Sequence, residues 1–199
     1  MRGLLLALLV IPSGLVVTSR FWPKVEHVVV TGNERFAASQ VMDMAGVHPG
    51  DPFLWVTRST VERLATEPWV LSATVVRRWP DTVEVHVTER TPVLTDGVTT
   101  WAADGTVLPG VPADEAAELP VLRGWGGDRT AEALELERLL RPFGVQVISY
   151  SPEGFEIQLI GTTLNTPSAE ALRQQWSAFV NHRGGTVSVY PWGVATSDE

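Results

Sequence analysis

Trp69-Val70-Leu71-Ser72-Ala73-Thr74-Val75-Val76-Arg77-Arg78-Trp79-Pro80-Asp81-Thr82-Val83-Glu84-Val85-His86-Val87-Thr88 decides the fold of the first half of the chain. From Thr82 the run alternates: Val83, Val85 and Val87 fall on one face, Glu84, His86 and Thr88 on the other. That period of two belongs to an antiparallel strand with one buried and one wet face. Trp69 to Trp79 is dense in β-formers and reads as its partner strand, with Trp69 and Val70 as core residues. Pro80-Asp81 is the turn between them, and Trp79-Pro80 shapes the hairpin tip.

Upstream of this hairpin, Val25 to Thr31 is a β-branched run closed by Gly32-Asn33, a strand and its turn. Ala37 to Ala45 places Val41, Met44 and Ala45 at helical spacing, and Gly46 stops the helix as a left-handed cap. Pro49-Gly50-Asp51-Pro52 is a turn cluster. Ser59-Thr60-Val61-Glu62 has the form of a capping box for a second helix, which Pro68 ends. The order is βααββ, a small sheet with two helices on one side.

These residues carry a resemblance. Val28-Val29-Val30-Thr31-Gly32-Asn33, Pro68-Trp69-Val70, Arg77-Arg78-Trp79-Pro80 and Glu89-Arg90-Thr91-Pro92 stand in the order seen in a POTRA domain, and the set resembles the FtsQ/DivIB family of bacterial cell-division proteins. Glu89 and Arg90 either pair with charges near a domain junction or lie solvated.

Beyond Pro92 the pattern loosens. Val98 to Trp101, Ala103-Asp104-Gly105 and Thr106 to Leu108 read as a hairpin, and Pro109 to Pro120 as an acidic loop. Leu119 to Leu122 is a short strand signal, and Gly124-Trp125-Gly126-Gly127 a flexible stretch without the Lys of a phosphate loop. Thr130 to Leu140 is a helix ended by Pro142. Val145 to Tyr150, Phe155 to Ile160 and Thr162 to Leu164 are strands. Ala169 to His182 is a second helix, with Leu172, Trp176, Phe179 and Val180 as its buried stripe. Thr186 to Ala195 is the last strand, broken near Pro191. The Asp104-Gly105 turn, Leu119-Pro120 and the closing Tyr190-Pro191 and Gly193 are similar to the β domain that follows POTRA in the same family. One departure stands out. The family's Asp-Leu-Arg-Tyr run is here Val187-Ser188-Val189-Tyr190, without the Asp and Arg.

Composition bounds what this architecture can do. The 199 residues are 44% hydrophobic with a net charge of −8, and the pI near 5.0 argues against nucleic acid as a partner, because counterion release needs a dense basic face. The chain has no cysteine, which excludes disulfides, thiolate nucleophiles and Cys-based zinc sites. The acid is uneven. Residues 24–92 are close to balanced, with 7 basic and 9 acidic groups, whereas residues 93–199 carry 6 and 14. That shift marks a domain boundary near Pro92.

Residues 3–19 hold no charge and reach the lower limit for a membrane span, with Phe21 and Trp22 where an interfacial belt sits. A cleaved signal peptide is the competing reading, with Val17 and Ser19 as small residues at a cleavage site. The expected chain is therefore α+β in three parts: an anchor helix within residues 1–23, a βααββ POTRA domain over 24–92, and a mixed α+β domain over 93–199. The last has an antiparallel sheet and an exposed C-terminal edge strand.

No catalytic constellation is present: no His-Glu-x-x-His, no Gly-x-Ser-x-Gly and no Walker loop. Glu153 and Glu156 do not make a convincing acid–base pair. His27, His48 and His86 are spread over strands and a loop, so no metal or other cofactor is expected. The chemistry on offer is that of the backbone, since an edge strand presents unpaired N–H and C=O groups. The candidate partner-binding residues are Thr186, Val187, Ser188, Val189, Tyr190, Trp192, Gly193 and Val194, with the two aromatics as anchors. The resemblance implies a non-enzymatic, membrane-anchored scaffold at the division septum, with its domains outside the cytoplasm. Partners of the FtsB/DivIC and FtsL types would dock on that strand, and other division proteins on the POTRA domain. An alternative within the same fold is a chaperone or assembly factor for outer-membrane proteins.

Overall fold

The computed structural model describes residues 23–56, 58–182 and 184–197. The expected anchor, residues 3–19, lies outside them. No helix among the described residues is long and apolar enough to cross a membrane. The chain divides into two compact units between Arg90 and Thr91.

The first unit runs β1 (His27–Thr31), α1 (Ala38–Ala45), α2 (Arg58–Leu64), β2 (Val70–Arg78) and β3 (Thr82–Glu89). A single 3₁₀ turn at Phe53–Trp55 sits between the helices. The sheet order is β1-β3-β2, with β1 parallel and β2 antiparallel to the central β3. Val83, Val85 and Val87 are buried, as their alternation requires, and pack with Val41, Ala45 and Leu64 of the two helices. Gly46 caps α1 with φ of 64°, a conformation that costs glycine nothing. At the front of α1, Gln40 Oε1 accepts the Ala37 N–H at 2.8 Å. α2 begins at Arg58, ahead of the expected cap; the Ser59 side chain lies outside the described residues.

Glu89 and Arg90 both bond to backbone groups, which the sequence reading did not foresee. Glu89 accepts the backbone N–H groups of Arg35 at 2.7 Å and Phe36 at 3.3 Å. Arg90 donates to the carbonyls of Pro68 and Val70 at 2.9 and 2.5 Å. Both ends of the Glu-Arg pair thus satisfy backbone groups that the sheet leaves over. Trp69 is buried, with the Arg35 guanidinium 3.7 Å above its ring, a cation–π contact.

The second unit contains β4 (Pro92–Thr95), β5 (Thr100–Ala102), α3 (Ala113–Ala117), β6 (Val121–Gly124), α4 (Thr130–Leu140), β7 (Val145–Ser151), β8 (Gly154–Leu159), β9 (Thr162–Thr166), α5 (Ala169–Gln174), α6 (Trp176–Asn181), β10 (Gly185–Tyr190) and β11 (Gly193–Ser197). They build one eight-stranded sheet, ordered β11-β10-β9-β8-β7-β6-β4-β5.

Several expectations need correction. The sheet is mixed, not antiparallel: β4 with β6, β6 with β7, and β9 with β10 run parallel. A helix between adjacent strands returns the chain to its starting end, and α4 and α5–α6 do this between β6 and β7 and between β9 and β10. The acidic loop after Pro109 holds the short α3, with Asp114 and Glu115 in its first turn, where negative charge is favoured. The expected 14-residue helix is two, α5 and α6, meeting at Gln175. Pro92–Thr95 is a strand that the Pro-containing sequence disguises.

One face of this sheet carries the core. The cross-strand row Leu122, Ile148, Ile157, Leu164, Val187 and Thr196 lies on it, under Leu136, Leu140, Leu172 and Phe179 from the helices. The adjacent row Arg123, Ser149, Glu156, Asn165, Ser188 and Ala195 faces the other way and is polar, as a solvated face should be. Glu137 is the one charged side chain in the buried set of α4. Arg141 grips both of its oxygens, at 2.9 and 2.8 Å. That hydrogen bond holds the Arg141 guanidinium above its ordinary pKa.

Candidate functional site

The candidate segment is a hairpin, not one broken strand. Thr186, Val187, Ser188, Val189 and Tyr190 lie on β10; Gly193 and Val194 lie on β11; Trp192 sits in the two-residue turn with Pro191. Pro191 breaks the run because it has no N–H to give the ladder and its fixed φ suits a turn.

This moves the open edge. β10 is interior, paired to β9 by Gly185–Ser188 on one side and to β11 along Thr186–Tyr190 on the other. The backbone of Thr186, Val187 and Ser188 is therefore already taken. Among the described residues the free edge at this end of the sheet is the far side of β11, β5 forming the opposite edge. Tyr190 and Gly193 flank the two-residue turn as direct partners, so they form a hydrogen-bonded pair. Alternation along an antiparallel ladder then makes Ser188–Ala195 and Thr186–Ser197 hydrogen-bonded pairs as well. The N–H and C=O groups of Val194 and Thr196 consequently point outward, away from β10. Of the expected set, Val194 alone offers edge backbone in this sense; Thr196 was not foreseen. Its place follows from the register, which the sequence does not print.

The turn carries the aromatics. The rings of Tyr190 and Trp192 stack at 5.3 Å and within 7° of parallel. Trp192 is 82% exposed and Tyr190 41%. Gln175, at the break between α5 and α6, donates from Nε2 to the Pro191 carbonyl at 2.9 Å. The helix break thereby fixes the turn. Val187 and Val189 are fully buried and seat β10 on the core. The outer sheet face dips into a shallow hollow of about 630 Å³ beside Tyr190, lined by Arg123, Ser149, Glu156 and Asn165 among others. Trp125, Tyr150 and Phe155 also line it, so the recess next to the hairpin is of mixed polar and aromatic character.

The remaining candidates stay apart. His86 Nδ1 lies 3.0 Å from Thr31 Oγ1, and His48 Nε2 lies 2.9 Å from Asp43. Among the described residues no three metal-binding side chains converge. Asp128, at the entry to α4, has its pKa lowered by hydrogen bonds from the Thr130 side chain and backbone, an effect of the helix start rather than of any site.

The βααββ order with β1 parallel to the central β3 defines the first unit as a POTRA-type domain. Residues 24–90 match the family model described as POTRA domain, FtsQ-type. The cell division protein FtsQ of Mycobacterium leprae is 30% identical over 204 residues, covering 94% of this chain and 57% of the relative. FtsQ of Mycolicibacterium smegmatis is 31% identical over 71% of this chain and 45% of the relative. FtsQ of Streptomyces coelicolor is 40% identical over 75 residues, 37% of this chain and 28% of the relative. The chain belongs to the FtsQ family. It spans 28 to 57% of the length of these relatives.

Proposed function

We propose that the chain is a non-enzymatic scaffold of the bacterial division machinery, held in the plasma membrane by residues 3–19 with both units outside the cytoplasm at the septum. Its likeness to FtsQ cell division proteins supports the division role, and the uncharged run supports the anchor. The second unit docks a partner by strand addition, and the partner is a small membrane protein of the FtsB/DivIC type in complex with one of the FtsL type. The POTRA unit contacts other division proteins.

The single observation that carries the docking reading is the outward backbone of Val194 and Thr196 on an uncovered edge, beside the Tyr190–Trp192 stack. Main-chain pairing supplies affinity in this mode, and the aromatic pair supplies an anchor. The test is amide hydrogen exchange of the full chain with and without an FtsB/DivIC-type peptide. Slowed exchange at Val194 and Thr196 is expected. A bound peptide that leaves both amides exchanging at their free rate overturns the reading.

A further inference from the structure

The first unit exposes large apolar side chains at one end. Trp55 is 71% exposed, Trp79 74% and Leu54 46%. They belong to two separate segments drawn together: the 3₁₀ turn Phe53–Trp55, and the tip of the β2–β3 hairpin. Trp79 lies edge-on to the buried Phe53 at 6.1 Å, and Arg77 donates to the Leu54 carbonyl at 3.2 Å.

The chain enters the unit at this same end. Phe53 N–H donates to the Pro23 carbonyl at 3.0 Å, and Glu26 N–H to the Asp81 carbonyl at 2.8 Å. Lys24 bridges to Pro52. The parallel register His27 with Thr82 is what sets the start of β1 beside the hairpin tip.

Four residue steps separate Ser19 from Pro23, a reach of at most ~14 Å. The headgroup layer is itself roughly 6 Å deep on each side of the hydrocarbon. If residues 3–19 span the bilayer, Pro23 cannot stand far above it, and the turn bonded to Pro23 stands equally low. Trp is the side chain that prefers this layer, with an apolar body and one N–H to leave wet.

We propose that Leu54, Trp55 and Trp79 form a lipid-headgroup contact that seats the POTRA unit on the membrane from which it emerges. The proposal rests on reading residues 3–19 as a retained anchor. The occupant is the bilayer interface, because the short tether holds this end within reach of it. Lys24 and Arg77 are exposed at the rim, where long cationic side chains reach headgroup phosphates. Asp51 and Asp81 stand at the same end, so aromatic burial rather than net charge carries the contact.

The absence of native cysteine makes a direct test simple. The full chain is reconstituted in phosphatidylcholine vesicles with a nitroxide at Leu54→Cys, Leu71→Cys or Leu9→Cys. Position 71 lies eight residues from Trp79 along β2, about 26 Å at strand rise. Accessibility to a water-soluble nickel chelate and to oxygen is then measured. The expected result is nickel accessibility at position 54 about threefold below that at 71 with oxygen access retained, and its recovery when Trp55→Gln is added. Equal nickel access at 54 and 71, with position 9 lipid-exposed, overturns the contact while leaving the anchor intact. Exclusion of both reagents at 54 means that protein covers the patch, and also overturns it. A water-accessible position 9 removes the anchor and the inference with it.

Discussion

Val189 and Val194 face each other across the terminal hairpin, and both side chains enter the core of the second unit. Val194 is thus held by its side chain while its backbone N–H and C=O remain unspent. Residues that fix β11 in place and groups that receive a partner are different parts of the same few residues. That separation allows mutations to address docking without unfolding the sheet.

Thr196→Pro removes an outward N–H that no intrachain bond uses. Ala195→Pro removes an N–H that bonds Ser188 across the hairpin. Proline at an edge position facing solvent is tolerated, whereas one in the ladder is not. Thr196→Pro is expected to keep the melting temperature within a few degrees and to lose partner capture in a pull-down. Ala195→Pro is expected to lower the melting temperature as well.

Trp192→Ala tests the aromatic anchor. The ring touches solvent and Tyr190, so stability should change by less than about 0.5 kcal/mol. Affinity for an FtsB/DivIC-type peptide, measured calorimetrically, should fall at least about tenfold, the range of an interface hot spot.

Glu137 and Arg141 form an asymmetric pair: the carboxylate is buried, and the guanidinium is about half exposed. Arg141→Ala strands a charge in the core and is expected to cost about 3 kcal/mol. Glu137→Gln leaves a guanidinium that water can solvate and should cost clearly less. Chemical denaturation at neutral pH gives both values.

Gly32 has φ of +78°, and a Cβ there would collide with the Val87 carbonyl. Gly32→Ala carries both the steric and the left-handed cost, about 2 kcal/mol or more. A lower denaturant midpoint with an unchanged slope is the expected reading.

The Asp128 pKa is lowered in the folded chain by its bonds to Thr130. A carboxylate so depressed adds stability that is present above its unfolded pKa and disappears as pH falls through the folded one. Asp128→Asn should flatten only the acid side of the stability–pH curve, below about pH 4. A change above pH 6 would contradict the assignment.

The first unit was legible because its central strand, β3, alternates strictly. Val83, Val85 and Val87 announce a face, and Gly32, Gly46 and Pro80 punctuate it. The second unit was less so. The run from Thr186 to Ala195 has the composition of one strand, and only the register shows that Pro191-Trp192 folds it back on itself. Parallel pairing of β9 with β10 depends on contacts far apart in sequence, which local pattern does not encode. Glu89 and Arg90 were visible as a motif, yet both reach backbone groups that no side-chain rule points to.

The order of the large sheet has a further consequence. From β7 to β11 each strand lies next to the one made just before it. A chain emerging N-terminus first therefore finds each new strand's neighbour already in place, and keeps few sticky edges waiting. The series has a direction, and β11 is its growing end. On the proposed reading, a docking partner is not a visitor to a finished surface but the next strand in that sequence, added from another molecule. Recognition and folding then share one rule: what pairs is what arrives next at the open edge.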